Sequence, residues 1–173
     1  MIEDSRAEKV VFSCAGCYRT FNSNFQKELG KLGFKLQHIS QFLDNLLNEN
    51  KLKLKNKEKI VTYREPCHFG RHEKIYDEPR NLIKAIHGIK LNEMDRNLIN
   101  VWCCDAACNA ESAFKNHALN TSKERIREEE LADAEILHSC SPFFKRNLEN
   151  GSKKAKSRLK IMNLIGYLIN SME

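Results

Sequence analysis

Lys59-Ile60-Val61-Thr62-Tyr63-Arg64-Glu65-Pro66-Cys67-His68 carries the reading of the fold. Its first half is β-branched and aromatic, the profile of a strand on a pleated, buried surface. Pro66 has no N–H to give to a ladder, so the strand ends before it and Cys67 stands just past the end. The same order recurs on either side. Lys9-Val10-Val11-Phe12-Ser13 is a short strand that stops at Cys14-Ala15-Gly16-Cys17, after which Tyr18, Phe21, Phe25, Leu29 and Leu32 recur at helical spacing. Lys35 to Ile39 predicts a second strand, and Ser40 is placed to cap a helix carrying Phe42, Leu43, Leu46 and Leu47. Beyond the opening stretch, a helix from Pro79 through Ile86 leads to a strand over Ile89 to Met94. Asn100-Val101-Trp102-Cys103-Cys104 reads as another strand ending in cysteine. Thr121-Ser122-Lys123-Glu124 has the form of a capping box opening a helix to Ala134. Glu135 to Ser139 is the last strand of the pattern and ends at Cys140.

Strands alternating with helices predict an α/β fold: a mostly parallel sheet of about five to six strands with helices on both faces, Rossmann-like, in a single domain. The length of 173 residues suits one domain. We divide the chain into an N-terminal lead over 1–8, a cysteine-rich domain over 9–150 and a basic amphipathic C-terminal helix over 151–173. In that last segment Leu159, Met162, Ile165 and Leu168 share a helical face.

A hydrophobic content of 41% with 30% charged residues and three prolines excludes a disordered chain. Of the formal charge of +6, the last 23 residues supply +4, so the body is nearly neutral. With no recognisable module and only Tyr167 near the basic tail, nucleic-acid binding is not expected. Met1 leads into Glu3-Asp4-Ser5-Arg6 without an apolar signal core, so we expect a cytoplasmic protein. The apolar run Ile161 to Ile169 is nine residues, against the ~20 that span a bilayer; peripheral membrane association stays open.

Seven cysteines in a reducing compartment are kept for metals or redox work rather than for a disulfide framework. Cys14, Cys17, Cys67, Cys103, Cys104 and Cys140 all fall at predicted strand ends. In a parallel sheet the functional crevice lies beyond the carboxyl ends of the strands, so these thiols should converge on one edge. Thirty-five residues separate Cys67 from the adjacent pair Cys103-Cys104, and thirty-five more separate the pair from Cys140. Gathered thiolates select iron–sulfur clusters or zinc over harder ions. Near the start of a helix, the Cys14–Cys17 pair would have a lowered thiol pKa and suit redox work.

The chain resembles the cysteine-rich (CCG) domain of heterodisulfide reductase and related iron–sulfur oxidoreductases, including the iron–sulfur subunits of glycolate and lactate oxidation. The resemblance covers roughly Val10 to Asn150. It rests on Ser13-Cys14-Ala15-Gly16-Cys17-Tyr18-Arg19, Tyr63-Arg64-Glu65-Pro66-Cys67-His68-Phe69-Gly70-Arg71, Tyr76-Asp77-Glu78-Pro79-Arg80, Met94-Asp95-Arg96 and Cys103-Cys104. Ser141-Pro142-Phe143-Phe144-Lys145-Arg146-Asn147-Leu148 falls where the family usually reads Cys-Pro-x-Cys-Lys-x-Asn-Leu.

The resemblance implies an iron–sulfur oxidoreductase subunit passing electrons to a thiol–disulfide or organic-acid couple. Its cluster is of the four-iron (4Fe-4S) type, noncubane in the reductase branch. Cys67, Cys103 and Cys104 match cluster ligands, and Cys140 is a candidate for the lost one. Cys14, Cys17 and His68 are further cofactor-binding candidates, and Arg71 and Arg80 are candidates for anion contact. The expected partners are protein subunits supplying a second cysteine-rich domain and ferredoxin-like or flavin electron donors. The chain departs from the family at Asp105, where a glycine is usual, and at Ser141 and Phe144, where cysteines are usual. Three alternatives stay open: a non-catalytic assembly module, a structural zinc domain, and no metal. Cys108, Met94, Trp102 and His138 read as packing residues.

Overall fold

The computed structural model describes residues 2–106 and 110–172. Strand β1 (Lys9–Phe12) runs into α1 (Ala15–Arg19), which continues through a π-helical stretch (Thr20–Phe25) into α2 (Gln26–Leu29). Strand β2 (Lys35–His38) pairs with β1 in parallel and hands directly to α3 (Ile39–Asn48). His38, rather than Ser40, caps α3: its ring accepts from the Ser40 N–H, and the Gln41 side chain accepts from the His38 N–H.

The second sheet holds β3 (Lys59–Tyr63), β4 (Ile89–Leu91), β5 (Ile136–Ser139) and β6 (Lys160–Asn163) in the order β4-β3-β5-β6, every pair parallel. Helices α4 (Gly70–Glu73) and α5 (Asp77–Lys84) follow β3. Helices α6 (Ala110–Ala113) and α7 (Lys115–Glu130) lead to β5, α8 (Pro142–Ala155) leads to β6, and α9 (Leu164–Ile169) closes the chain. The expected single sheet is thus a pair plus a four-stranded sheet among the described residues, with the parallel α/β character retained.

Side chains alternate across a strand, and here they feed two buried clusters. Val61 and Tyr63 of β3 and Ile136 of β5 pack with Leu43, Leu82, Ile83, Leu164 and Leu168. Leu137, one residue along β5, faces the other way and packs with Ile126 of α7 and Phe144 and Leu148 of α8. A third, smaller cluster joins Ala15 and Tyr18 to Phe69 and Ile75.

Three sequence expectations differ from the structure. Asn100 to Cys104 is not a strand but a 3-10 turn at Leu98–Asn100 and a loop, with Leu98 at φ 53. Its carbonyls are taken by side chains rather than by a neighbouring strand: Arg71 donates to Val101 O at 2.5 Å, Arg64 to Trp102 O, and Asn147 to Cys104 O. Second, Thr121 to Glu124 lies inside α7, and buried Ser122 donates to Asn147 O on α8 at 2.7 Å.

Third, 151–173 is not one helix. Lys156, at φ 56, ends α8, and Leu159 and Ile161 enter the α7–α8 side of the core. The chain then pairs with β5 from Ile136↔Lys160 to Ser139↔Asn163. Asn163 next caps α9 by accepting from the Ile165 and Gly166 N–H groups. A helical face and an edge strand share the same apolar residues here, and the free β5 ladder decides between them. Among the described residues no helix is long and apolar enough to cross a membrane.

Helices α7 and α8 meet at Gly151. The point a Cβ would occupy there lies 2.7 Å from the Ser122 carbonyl carbon and touches the Ser122 side chain. A Gly151→Ala substitution should therefore push the helices apart and lower stability by about 1–3 kcal/mol in urea unfolding. An unchanged midpoint would show that α8 moves freely against α7.

Candidate cysteine site

Three strand ends build the site. After β3, buried Arg64 and Glu65 precede Pro66, whose carbonyl accepts the Phe69 and Gly70 N–H groups at 2.8 and 2.9 Å and turns the chain at Cys67. After β1, Cys14 is the extended residue preceding α1, and its carbonyl accepts the Tyr18 N–H at 3.0 Å. After β5 come Cys140 and Ser141, the latter leading into Pro142 at the start of α8.

The Cys103-Cys104 loop is brought to Cys67 by buried charge. Arg64 is 1% exposed and donates to Glu129 of α7 at 2.7 Å as well as to Trp102 O. Burial pushes the Glu129 carboxyl up to about 7, with Arg64 pulling against it. Trp102 is itself half exposed, not core, and lies between Arg96 and Arg125, whose guanidinium carbons sit 3.6 and 4.5 Å from its ring centre. Asp105 holds φ 55, a left-handed conformation that suits glycine and is tolerated by aspartate, which accounts for the glycine usual at this place in the resembled family.

The thiols then differ sharply. Cys103 is exposed, takes a hydrogen bond from the Cys67 thiol and another from the Asp105 N–H at 3.3 Å, and is drawn down to about 6, the Cys67 bond being the largest cause. Cys104 is fully buried and pushed up to about 12 by that burial, with Arg64 opposing. Cys67 and Cys104 share one buried cluster with Ala106 and Phe144. The Phe144 ring thus packs against the thiols from a position where the family pattern has a cysteine.

Cys140 is placed elsewhere. Like Ile136 it belongs to the cluster on the opposite side of the sheet, against Tyr63, and burial pushes its thiol up to about 12. A shift of one residue along a strand reverses the face, so Cys140 does not stand in for Ser141. Ser141, together with Phe144, Cys14, Cys17, His68 and Arg146, lines a cavity of about 350 Å³. Cys108 lies outside the described residues. A wider groove of about 590 Å³, lined by Lys59, Glu135 and Lys160, opens at the amino-terminal ends of the strands, away from every described cysteine, and its mixed charges offer no comparable chemistry.

Cys14 and Cys17 hydrogen-bond to each other; Cys17 is raised above its ordinary value by burial first and by Cys14 second, not lowered as its place near a helix start suggested. His68 is lowered, chiefly by burial. Arg80 is not free for an anion: it is buried and paired with Glu65 and with Glu93 at 2.6 Å. Met94 and His138 are core residues, as expected.

The sequence reading missed Arg64, Glu129 and Asn147 as builders of the site. Arg64 and Asn147 sit inside the motif tracts, which was the available signal; Glu129, in a run of surface-like charges on α7, offered none. Among the described residues, no three histidine, cysteine or carboxylate side chains close on a single metal ion.

Comparison with known proteins bears on this arrangement. A family model described as CCG, cysteine-rich domain, matches residues 61–148. A subunit of dihydromethanophenazine:CoB–CoM heterodisulfide reductase from Methanosarcina mazei is 37% identical over 168 residues, covering 96% of this chain and 41% of the relative. A subunit of fumarate reductase (CoM/CoB) from Methanothermobacter marburgensis is 25% identical over 164 residues, covering 93% and 32%. The probable iron-sulfur-binding oxidoreductase FadF of Bacillus subtilis is 25% identical over 153 residues, covering 86% and 22%. The chain thus spans less than half the length of these relatives. Among solved structures, glutamate racemase RacE1 from Bacillus anthracis superposes with a TM-score of 0.47 at 10% identity, covering 91% of this chain and 53% of the racemase.

Proposed function

The chain belongs to the cysteine-rich (CCG) domain family, and on that premise we propose that it is an electron-transferring domain of an iron–sulfur oxidoreductase of the heterodisulfide reductase type. The observation that carries this reading is the meeting of Cys67, Cys103 and Cys104 beyond the carboxyl end of β3, beside a cavity lined by His68. The functional unit in this reading runs over 9–150. Its redox partner is a thiol–disulfide or organic-acid couple, and its electrons come from partner subunits that supply a second cysteine-rich domain and a ferredoxin-like or flavin donor.

The residues fit a cluster held from three thiols, with one position left to a donor from elsewhere; they do not fit a complete all-cysteine set, because Ser141 and Phe144 carry no thiol and Cys140 faces away. When bound, a four-iron cluster, noncubane in this reading, supplies one-electron storage. The chain's own residues hold and tune the thiols. Arg64, Arg71 and Asn147 clamp the loop through its carbonyls, which fixes Cys103 and Cys104 in direction. The Asp105 N–H and the Cys67 thiol stabilise Cys103 as thiolate, the form that binds iron.

Anaerobic reconstitution with iron and sulfide should give a brown protein with bound iron and acid-labile sulfide. Cys103→Ser should lose at least half of the iron and the associated absorption. Zinc at one equivalent without sulfide would replace this reading by the structural zinc domain. A second reading, a non-catalytic assembly module, is favoured by the Phe144 ring packed on Cys67 and Cys104. Partner binding that survives in a chain free of iron and sulfide would decide for it.

A further inference from the structure

We propose that Cys14 and Cys17 form a reversible intrachain disulfide, a metal-free dithiol centre that exchanges with organic disulfides and dithiols entering the cavity beside it. The pair lies outside the matched residues 61–148, and the proposal does not depend on a bound cluster.

Four features of the structure support it. The two thiols sit one helical turn apart at the start of α1 and already hydrogen-bond to each other. Cys17 is exposed while Cys14 is half-buried, so an incoming disulfide meets Cys17 first and Cys14 stands behind it. Among the described residues the cavity lining carries these two thiols and no third, with Phe21, Phe143 and Phe144 as apolar walls. Two thiols facing each other without further cysteines are suited to bond to one another rather than to share a metal. Gly16 between them admits His68: the point its Cβ would occupy is 3.4 Å from His68 Nδ1 and 3.9 Å from Cys14 Sγ. A side chain there would fill the space beside Cys14.

The exchange balances without any other co-reactant. Cys17, as thiolate, attacks a sulfur of an organic disulfide RSSR; the S–S bond breaks and the first RS⁻ leaves, taking up the proton Cys17 gave to solvent. Cys14, as thiolate, then attacks the Cys17 sulfur of the mixed disulfide, forming the Cys14–Cys17 bond and releasing the second RS⁻, which takes up the Cys14 proton. The protein loses two electrons and RSSR gains them as two RSH. A dithiol reverses the sequence. The raised Cys17 thiol gives the reduced form no thiolate stabilisation, which places the couple toward the reducing end of such pairs.

Cleavage after Lys9 and Arg19 releases both cysteines in one peptide, Val10 to Arg19, so the test can be read directly. The reduced full chain, anaerobic and treated with chelator, is exposed to bis(2-hydroxyethyl) disulfide, quenched with iodoacetamide and analysed by mass spectrometry. The expected wild-type result is a peptide that loses both alkylation sites, is two hydrogens lighter than the dithiol form and carries no hydroxyethyl adduct. Cys14→Ser should instead keep one adduct on Cys17. A lasting adduct on Cys17 in the wild type, or a peptide that stays doubly alkylated after other cysteines of the chain have reacted, would overturn the proposal. Because the wild type alone decides, a poorly folding variant does not leave the question open, and the outcome is independent of iron content.

Discussion

Replacing Arg64 by methionine is expected to cost about 3–5 kcal/mol of folding stability and to free the Cys103-Cys104 loop. Arg64 is the largest fully buried side chain among the described residues, and it ties β3 to Glu129 of α7 and to Trp102 O. Taking it away leaves Glu129, 0% exposed, as an unpaired carboxyl in the core. Its pKa is pushed to about 7 even with Arg64 present, so burial already outweighs the attraction. A pair in that balance stabilises little as a whole, yet either member alone is costly. Arg64→Met/Glu129→Leu should accordingly recover most of what Arg64→Met loses. Urea unfolding of the two single variants and the double gives the coupling directly. The loop is read by the alkylation rate of Cys104, fully buried in the wild type, which should rise at least tenfold in Arg64→Met. A variant within about 1 kcal/mol of wild type with Cys104 still protected would show that Arg71 and Asn147 suffice to hold the loop.

Stability should also fall steeply on acidification from pH 6.5 toward 4, through two histidines. His38 is 0% exposed, with Nδ1 2.9 Å from Ser40 Oγ and its ring 4.3 Å from that of Phe69. His138 is 1% exposed, its ring 4.6 Å from that of Tyr167. Burial lowers both from 6.5 to about 4. Below 6.5 the unfolded chain binds protons that the folded chain refuses, so stability complete at neutral pH is lost as the pH drops toward the folded value. Each contributes about 3 kcal/mol across that interval at 1.36 kcal/mol per pKa unit. Glu129 works the other way. Its raised carboxyl takes up a proton in the folded state first, so its contribution grows as the pH falls from about 7 toward its unfolded value. The net slope is the difference, and the variants isolate it: His38→Gln and His138→Gln should each remove about half of the histidine-linked loss between pH 7 and 4. Parallel profiles for variant and wild type would mean that the rings are hydrated and titrate normally.

How far the site was legible follows from where its information lies. Tyr63 to Arg71 could be read because strand propensity, Pro66 and the following cysteine act within a few residues of each other. The alternation of strand and helix likewise announced parallel pairing and sent the cysteines toward one edge. The thiols of Cys14 and Cys17 met because one helical turn separates them, which needs no distant contact.

Trp102 to Cys104 resisted reading because valine, tryptophan and cysteine favour strands wherever a ladder is free. Here the carbonyls are claimed by Arg64, Arg71 and Asn147, three side chains from β3, α4 and α8. The tail misled for a related reason. Leu159, Ile161, Leu164 and Leu168 satisfy helical spacing in part, and only the open edge of β5 made strand β6 the lower-energy choice.

The sequence by itself determined the parallel α/β class, the strand ends that bear Cys14, Cys17 and Cys67, and the family, because local periodicity and short motifs carry them. The tertiary structure alone decided which thiols meet. Cys140 and Ser141 are neighbours in the chain, but the pleat turns Cys140 toward Tyr63 and Ser141 toward the cavity. Phe144 packs on Cys67 and Cys104 only because α8 crosses behind β5. Facing direction and long-range burial are properties of the assembled sheet, and no spacing along the chain encodes them.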